Sequence, residues 1–239
     1  MPHVRPQEIV RQFRENGLKL LLQDPANMED LLALGDPQRA SRIDFTRMTV
    51  DPTTYVAADY RHLCSDLVLK VPYRTCAGGL RRALVLYLLL EHQSDVDQFM
   101  LLRVIDYLVQ IYKAQLRRWE QRHVSGASFR FQPVLPIVLY TGERRWDTLT
   151  DLIRLVEGGE EFAEVLPQLQ PLFLSLPTIL SEELEASGGF LGWVLELLKH
   201  RKAAPDEFRR LVARVVDHLE GMPEPSGSAG CCYCRTSRR

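Results

Sequence analysis

Cysteine is sparse in this chain and arranged in no useful way. Five cysteines occur in 239 residues, at 64, 76, 231, 232 and 234. The number is odd, and no cysteine has histidine or further cysteine company at metal-ligand spacing. That argues against a disulfide framework and against a zinc knuckle in Cys231-Cys232-Tyr233-Cys234, and it favours a reduced, cytoplasmic setting. Long hydrophobic runs are missing as well. The longest, Ala83 to Leu90, has eight residues, whereas a membrane span needs ~20. No membrane partner is therefore expected, and Met1-Pro2-His3-Val4-Arg5 leads into a polar helical pattern with no apolar signal segment. Nor is there an excess of one charge: the formal net charge is -1, with 46% hydrophobic and 26% charged residues. A chain so composed has enough apolar surface to fold, which excludes disorder for its bulk.

The near-neutral total conceals a segregation. Residues 1–70 carry nine basic and ten acidic side chains, residues 71–145 eleven and six, and residues 146–239 ten and fifteen. A basic central third in a neutral protein marks a local anion-binding face. The plainer alternative is that Arg117, Arg118 and Arg122 form the solvated side of a helix.

Hydrophobic spacing gives the order of elements. Ile9, Val10, Phe13, Leu18, Leu21 and Leu22 recur at helical intervals; Asp24-Pro25 interrupts the run and Met28–Leu34 resumes it, until Gly35-Asp36-Pro37. Residues 42–50 alternate and predict a first strand, Leu63–Val71 a second that stops before Pro72, and Leu84–Leu90 a third built for burial on both faces. From Val96 to Leu116 the period becomes helical for six turns. Pro133–Tyr140 is another buried strand, ended by Thr141-Gly142. Strand, long helix, strand is a crossover unit and predicts parallel strands. Beyond Trp146, Leu149–Val156, Phe162–Leu166, Gly192–Lys199 and Phe208–Leu219 read as helices, and Leu172–Leu176 as an edge strand. Residues 221–239 carry no core-forming pattern and read as a disordered tail.

Two carboxylates stand where burial is expected. Asp66 lies inside an apolar strand and Glu91 at the end of another. A buried carboxylate needs a cation, a metal or a strand end open to water. Structural readings exist for each: Asp66 paired to Arg61 or Arg82, and Glu91 as a first-turn acid of a helix capped by Ser94. Taken together, carboxylates on consecutive strands can meet at one sheet edge and form a hard oxygen site suited to Mg²⁺. Gln93, two residues after Glu91, falls on the same side if the strand continues, where its amide can orient a water or a phosphate oxygen. His92 falls on the opposite face and reads as a packing or hydrogen-bonding residue. A metal site of this kind suits phosphodiester hydrolysis, with Arg103, Lys113, Arg117 and Arg118 of the basic helix as contacts to the phosphates of DNA. Trp119, Trp146 and Trp193 read as packing residues.

The segments Ser65 to Val71, Leu88-Leu89-Leu90-Glu91-His92-Gln93-Ser94 and Pro136 to Gly142 with Trp146, after the opening Gly17-Leu18-Lys19-Leu20-Leu21-Leu22 and Asp24-Pro25, resemble the Rpn/YhgA-like family of recombination-promoting nucleases. The resemblance spans about residues 10–200. It implies the PD-(D/E)XK nuclease superfamily, with a helix, three strands, a helix and a strand in its core. It further implies Asp66 and Glu91 as ligands of a divalent metal, with Gln93 in the place usually held by a catalytic lysine. Family members usually open with a His-Asp pair; the matching place here reads Glu15-Asn16, making Glu15 the candidate helix-borne acid. The resulting expectation is an α/β protein with a mixed central sheet and flanking helices. Its nuclease-like core would occupy residues 1–145, a helical extension 146–220 and a tail 221–239. The expected activity is Mg²⁺-dependent DNA endonuclease, tied to recombination or mobile elements. The alternative is a non-catalytic DNA-binding or protein-interaction relative of the same fold, and self-association into a homo-oligomer is compatible with either.

Overall fold

The computed structural model describes residues 17–51, 65–75, 81–91, 96–122, 129–187 and 189–220, with backbone alone at 65, 66, 81–83, 87–91, 219 and 220. The cysteines, the tail 221–239 and the N-terminal helical pattern up to residue 16 lie outside the described residues.

Asp24-Pro25, which breaks the first apolar run, is the start of a new helix. Residues 17–21 are helical; the chain then turns, and α1 (Pro25–Gly35) begins. Asp24 caps it, its carboxylate accepting from the backbone N–H of Ala26 at 3.0 Å and of Asn27 at 3.2 Å. Pro25 takes the first position, where a missing N–H costs nothing.

Five strands form one sheet in the order β1 (Thr49–Val50), β2 (Ser65–Arg74), β3 (Arg81–Glu91), β4 (Val134–Tyr140) and β5 (Leu172–Ser175). The first three are antiparallel in sequence, whereas β3, β4 and β5 run parallel. Helix α2 (Met100–Gln121) makes the expected crossover between β3 and β4. After β5 come α3 (Ser181–Ala186) and α4 (Phe190–Lys199). Residues to Arg201 make one compact unit; within it β5 completes the sheet, so the sheet draws on chain beyond residue 146. The second unit begins at Lys202 and is described through α5 (Pro205–Glu220), an amphipathic helix with Leu211 and Val215 buried and Val216 exposed.

Alternation sends the two faces of the sheet into two cores. Leu67, Leu69, Val71, Leu86, Ile137, Leu139 and Leu174 pack with Met28, Leu31 and Leu32 of α1 and with Leu184, Leu191 and Leu195 of α3 and α4. On the other face Val68, Val85, Val138 and Tyr140 pack with Met100, Val104, Tyr107, Ile111 and Ala114 of α2, and with Trp146. Trp146 stands edge-on to both Tyr140 and Phe173, with ring centroids 5.0 Å apart in each pair. Each buried leucine contributes about 1.5–3 kcal/mol from area removed from water, before chain entropy is counted.

Three expectations are corrected. The strand over 42–50 shrinks to Thr49–Val50, because Phe45–Arg47 turns as a 3₁₀ helix and Ile43 makes only an isolated bridge to Tyr73. β2 runs through Pro72 instead of stopping before it. The Pro72 carbonyl accepts from the N–H of Asp44 at 2.9 Å, so the ring nitrogen, on the same side, faces away from β3 and removes no rung of that ladder. Leu149–Val156 keeps a single turn, Leu152–Leu155, and Phe162–Leu166 is not helical. Gly158 adopts φ 69°, a left-handed conformation that interrupts any helix there.

Gly192 marks a close approach of α4 to α3. A Cβ at this position would run into the Leu184 carbonyl oxygen of α3, a backbone atom that cannot swing away. Gly192→Ala should therefore lower unfolding stability by about 3 kcal/mol in urea denaturation, against the slight gain normal for Gly to Ala inside a helix.

Candidate functional site

The parallel strands end together. Glu91 lies opposite Tyr140, and Tyr140 opposite Ser175. β2 runs the other way and so begins at this edge, with Ser65 opposite Leu90 and Asp66 opposite Leu89. The carboxyl-terminal edge of parallel strands is where open α/β sheets bind their ligands, because chain ends diverge there and leave a crevice. Val68 and Val85 belong to the core beneath α2. By strand alternation, positions 66, 89 and 91 fall on that same face. The register thus puts positions 66 and 91 at one edge and on one face of the sheet. The side chains of Asp66 and Glu91, and the whole of Glu15, His92 and Gln93, lie outside what the structure describes.

The described surroundings are polar for so buried a place. Thr141 and Ser175 are buried just where β4 and β5 end, and Tyr140 is wholly buried before them. The Ser175 hydroxyl has no hydrogen-bond partner among the described residues. Beyond the turn at Gly142, Glu143 is joined to Arg201 at 3.3 Å, while Arg144 and Arg145 are exposed, as expected of a turn. Helix α2 starts four residues later than Val96. Its N-cap position is Phe99, whose N–H donates to the Asp97 carboxylate at 2.8 Å, and Ser94 lies outside the described residues.

The four basic residues expected to meet phosphate divide in two. Arg103 is 5% exposed and donates to Asp97 at 2.8 Å, which ties the first turn of α2 to the chain before it. That position takes Arg103 off the surface a duplex would touch. Arg118 points to Asp51, whose carboxylate is 3% exposed and lies 3.3 Å from Arg118 and 2.9 Å from Lys70. Sequence reasoning missed this cluster, because Asp51-Pro52 reads as a turn and one of its two cations, Arg118, stands 67 residues away. Lys113 and Arg117 are exposed. No group of three histidine, cysteine, aspartate or glutamate side chains suited to a metal occurs among the described residues. Burial, then the neighbouring Glu29 and Asp24, raises the pKa of the Asp30 carboxyl, and the hydrogen bond to Asp147 raises that of Arg145.

Arg118→Ala should cost about 1–2 kcal/mol of stability, since Lys70 still neutralises Asp51 and both cations are partly solvated. Arg117→Ala should leave the unfolding midpoint within about 0.5 kcal/mol of the parent. Equal effects of the two in chemical denaturation would remove the structural distinction between them.

No helix among the described residues is long and apolar enough to cross a membrane. No solved structure matches the chain. Residues 15–226 match the family described as Putative transposase, YhgA-like, and this match covers nearly the whole sequence. The apolar β2 and β3 with their two acidic positions, the crossover helix and β4 all fall inside it: the chain belongs to the YhgA-like transposase family.

Proposed function

We propose that the protein is a metal-dependent endonuclease that hydrolyses phosphodiester bonds in DNA, acting in recombination or in the movement of mobile elements. The observation that carries this reading is the shared edge and face of positions 66 and 91. Two carboxylates are hard oxygen donors, and their chemistry fits Mg²⁺ better than a softer ion. Asp66 and Glu91 are the residues that would hold it, and when bound it would supply charge neutralisation at the scissile phosphate.

The remaining work belongs to the chain itself. Gln93, whose amide both donates and accepts, would orient the attacking water or a phosphate oxygen, although it cannot carry the positive charge of a lysine. Glu15 would add a further acid from the N-terminal helix. Arg117, exposed on α2, would contact the phosphate backbone. Family membership supports an association with mobile elements; the nuclease chemistry rests on the acidic pair.

Asp66→Ala should abolish Mg²⁺-dependent nicking of supercoiled plasmid while DNA binding is kept or tightened, because a negative charge facing phosphate has gone. Glu91→Ala should behave alike, and the double variant should be hardly worse than either single one, as for residues that serve one ion. Parent protein that binds plasmid but fails to cut it whichever divalent ion is supplied would identify the non-catalytic relative instead. For the phosphate contact, Arg117→Ala should reduce the slope of log affinity against log salt by about one unit, and an unchanged slope would return Arg117 to an ordinary solvated position.

A further inference from the structure

Helix α2 has two apolar faces, and the fold uses one. Met100, Val104, Tyr107 and Ile111 are buried against the sheet. On the outward side Leu102 is 49% exposed, Val109 42% and Leu116 36%. These three are seven residues apart, so they form one line along the helix, spanning about 21 Å. Phe99 and Phe131 extend the apolar surface, each about half exposed, and Phe131 is held edge-on against Tyr112 at 5.1 Å. A line of large apolar side chains left in water marks a contact surface.

The charges beside the line indicate what sits on it. Asp106 and Lys113 lie on the same flank, three residues before and four after Val109. Among the described residues neither has an ion-pair partner, and they are about 10 Å apart along the helix, too far to reach each other. Lys113 also has Arg117, a like charge, four residues on. A two-fold axis passing near Val109 and crossing α2 removes all of these mismatches. It lays a second α2 antiparallel on the first, packs Leu102 against Leu116 of the other copy, and brings each Asp106 opposite a Lys113. A surface matched to itself under a two-fold axis is the requirement for a symmetric dimer. We propose that the outward face of α2 is the seat of a second copy of this chain, with Leu102, Val109 and Leu116 as its apolar centre and two reciprocal Asp106–Lys113 pairs fixing its direction. A standard interface covers about 800 Å² per partner, more than one helix face supplies, and Phe99 and Phe131 provide the extension. Arg117 is left at the rim, open to phosphate. The dimer stands whether or not the chain cuts DNA.

Sedimentation or light scattering of the full chain over a concentration series tests this. The parent should show twice the 27.5 kDa of one chain at micromolar concentration. Val109→Glu should give the single-chain mass with an unchanged circular dichroism spectrum, since the site is exposed. Asp106→Lys and Lys113→Asp should each raise the dissociation constant at least tenfold. The double variant carrying both exchanges should return to within about threefold of the parent, because the pairs re-form with their signs reversed. That rescue separates a paired interface from a general loss of solubility. A parent of single-chain mass at about 100 μM, well above the micromolar range of specific weak dimers, overturns the proposal. So does a dimer indifferent to Val109→Glu, or a double variant no better than the singles.

Discussion

Everything in this fold is arranged around β3, which is hydrogen-bonded along both edges and covered on both faces. It pairs antiparallel with β2 and parallel with β4, and Leu84, Val85 and Leu86 in succession are buried. A parallel partner cannot be reached by a tight turn, so the chain must travel back along the sheet before β4 begins. Helix α2 makes that return and seals one face on the way. The opposite face is sealed by α1 from before the sheet and by α3 and α4 from after it, which places their residues in one core despite their distance in sequence.

The same parallel arrangement creates the candidate site. Because β3, β4 and β5 run together, their ends fall at one edge, and because β2 runs against them, its start falls there too. An acid at the start of β2 and another at the end of β3 therefore come to one place without any special loop. The sheet's own polarity collects them, together with the buried Thr141 and Ser175. Strand polarity and register alone place these two positions together.

Helix α2 is constrained on several sides. Its inward face fills the second core, Arg103 anchors its start to Asp97, and Arg118 anchors its far half to Asp51, the residue after β1. Two of its four central cations are thus spent on holding the helix in place. A basic composition read along a helix does not separate cations that face solvent from those that neutralise a buried acid, and here both occur within one element.

The sequence by itself determined the elements whose burial repeats locally. The unbroken apolar runs before Leu90 and Tyr140 specified strands covered on both faces, the period between them specified the crossover helix, and Leu172-Phe173-Leu174 specified an edge strand. Each signal sits in the residues that form the element, so no partner need be known. Only the tertiary structure decided the rest. Pro72 stays in a strand because its nitrogen happens to face away from β3. Asp51 is buried because Lys70 and Arg118 reach it from other elements. The chain is not helical at Phe162–Leu166, and Gly158 takes a left-handed conformation just before it. The shared face of Asp66 and Glu91 likewise follows from strand register, a property of two segments aligned against each other, which alternation within either one cannot express.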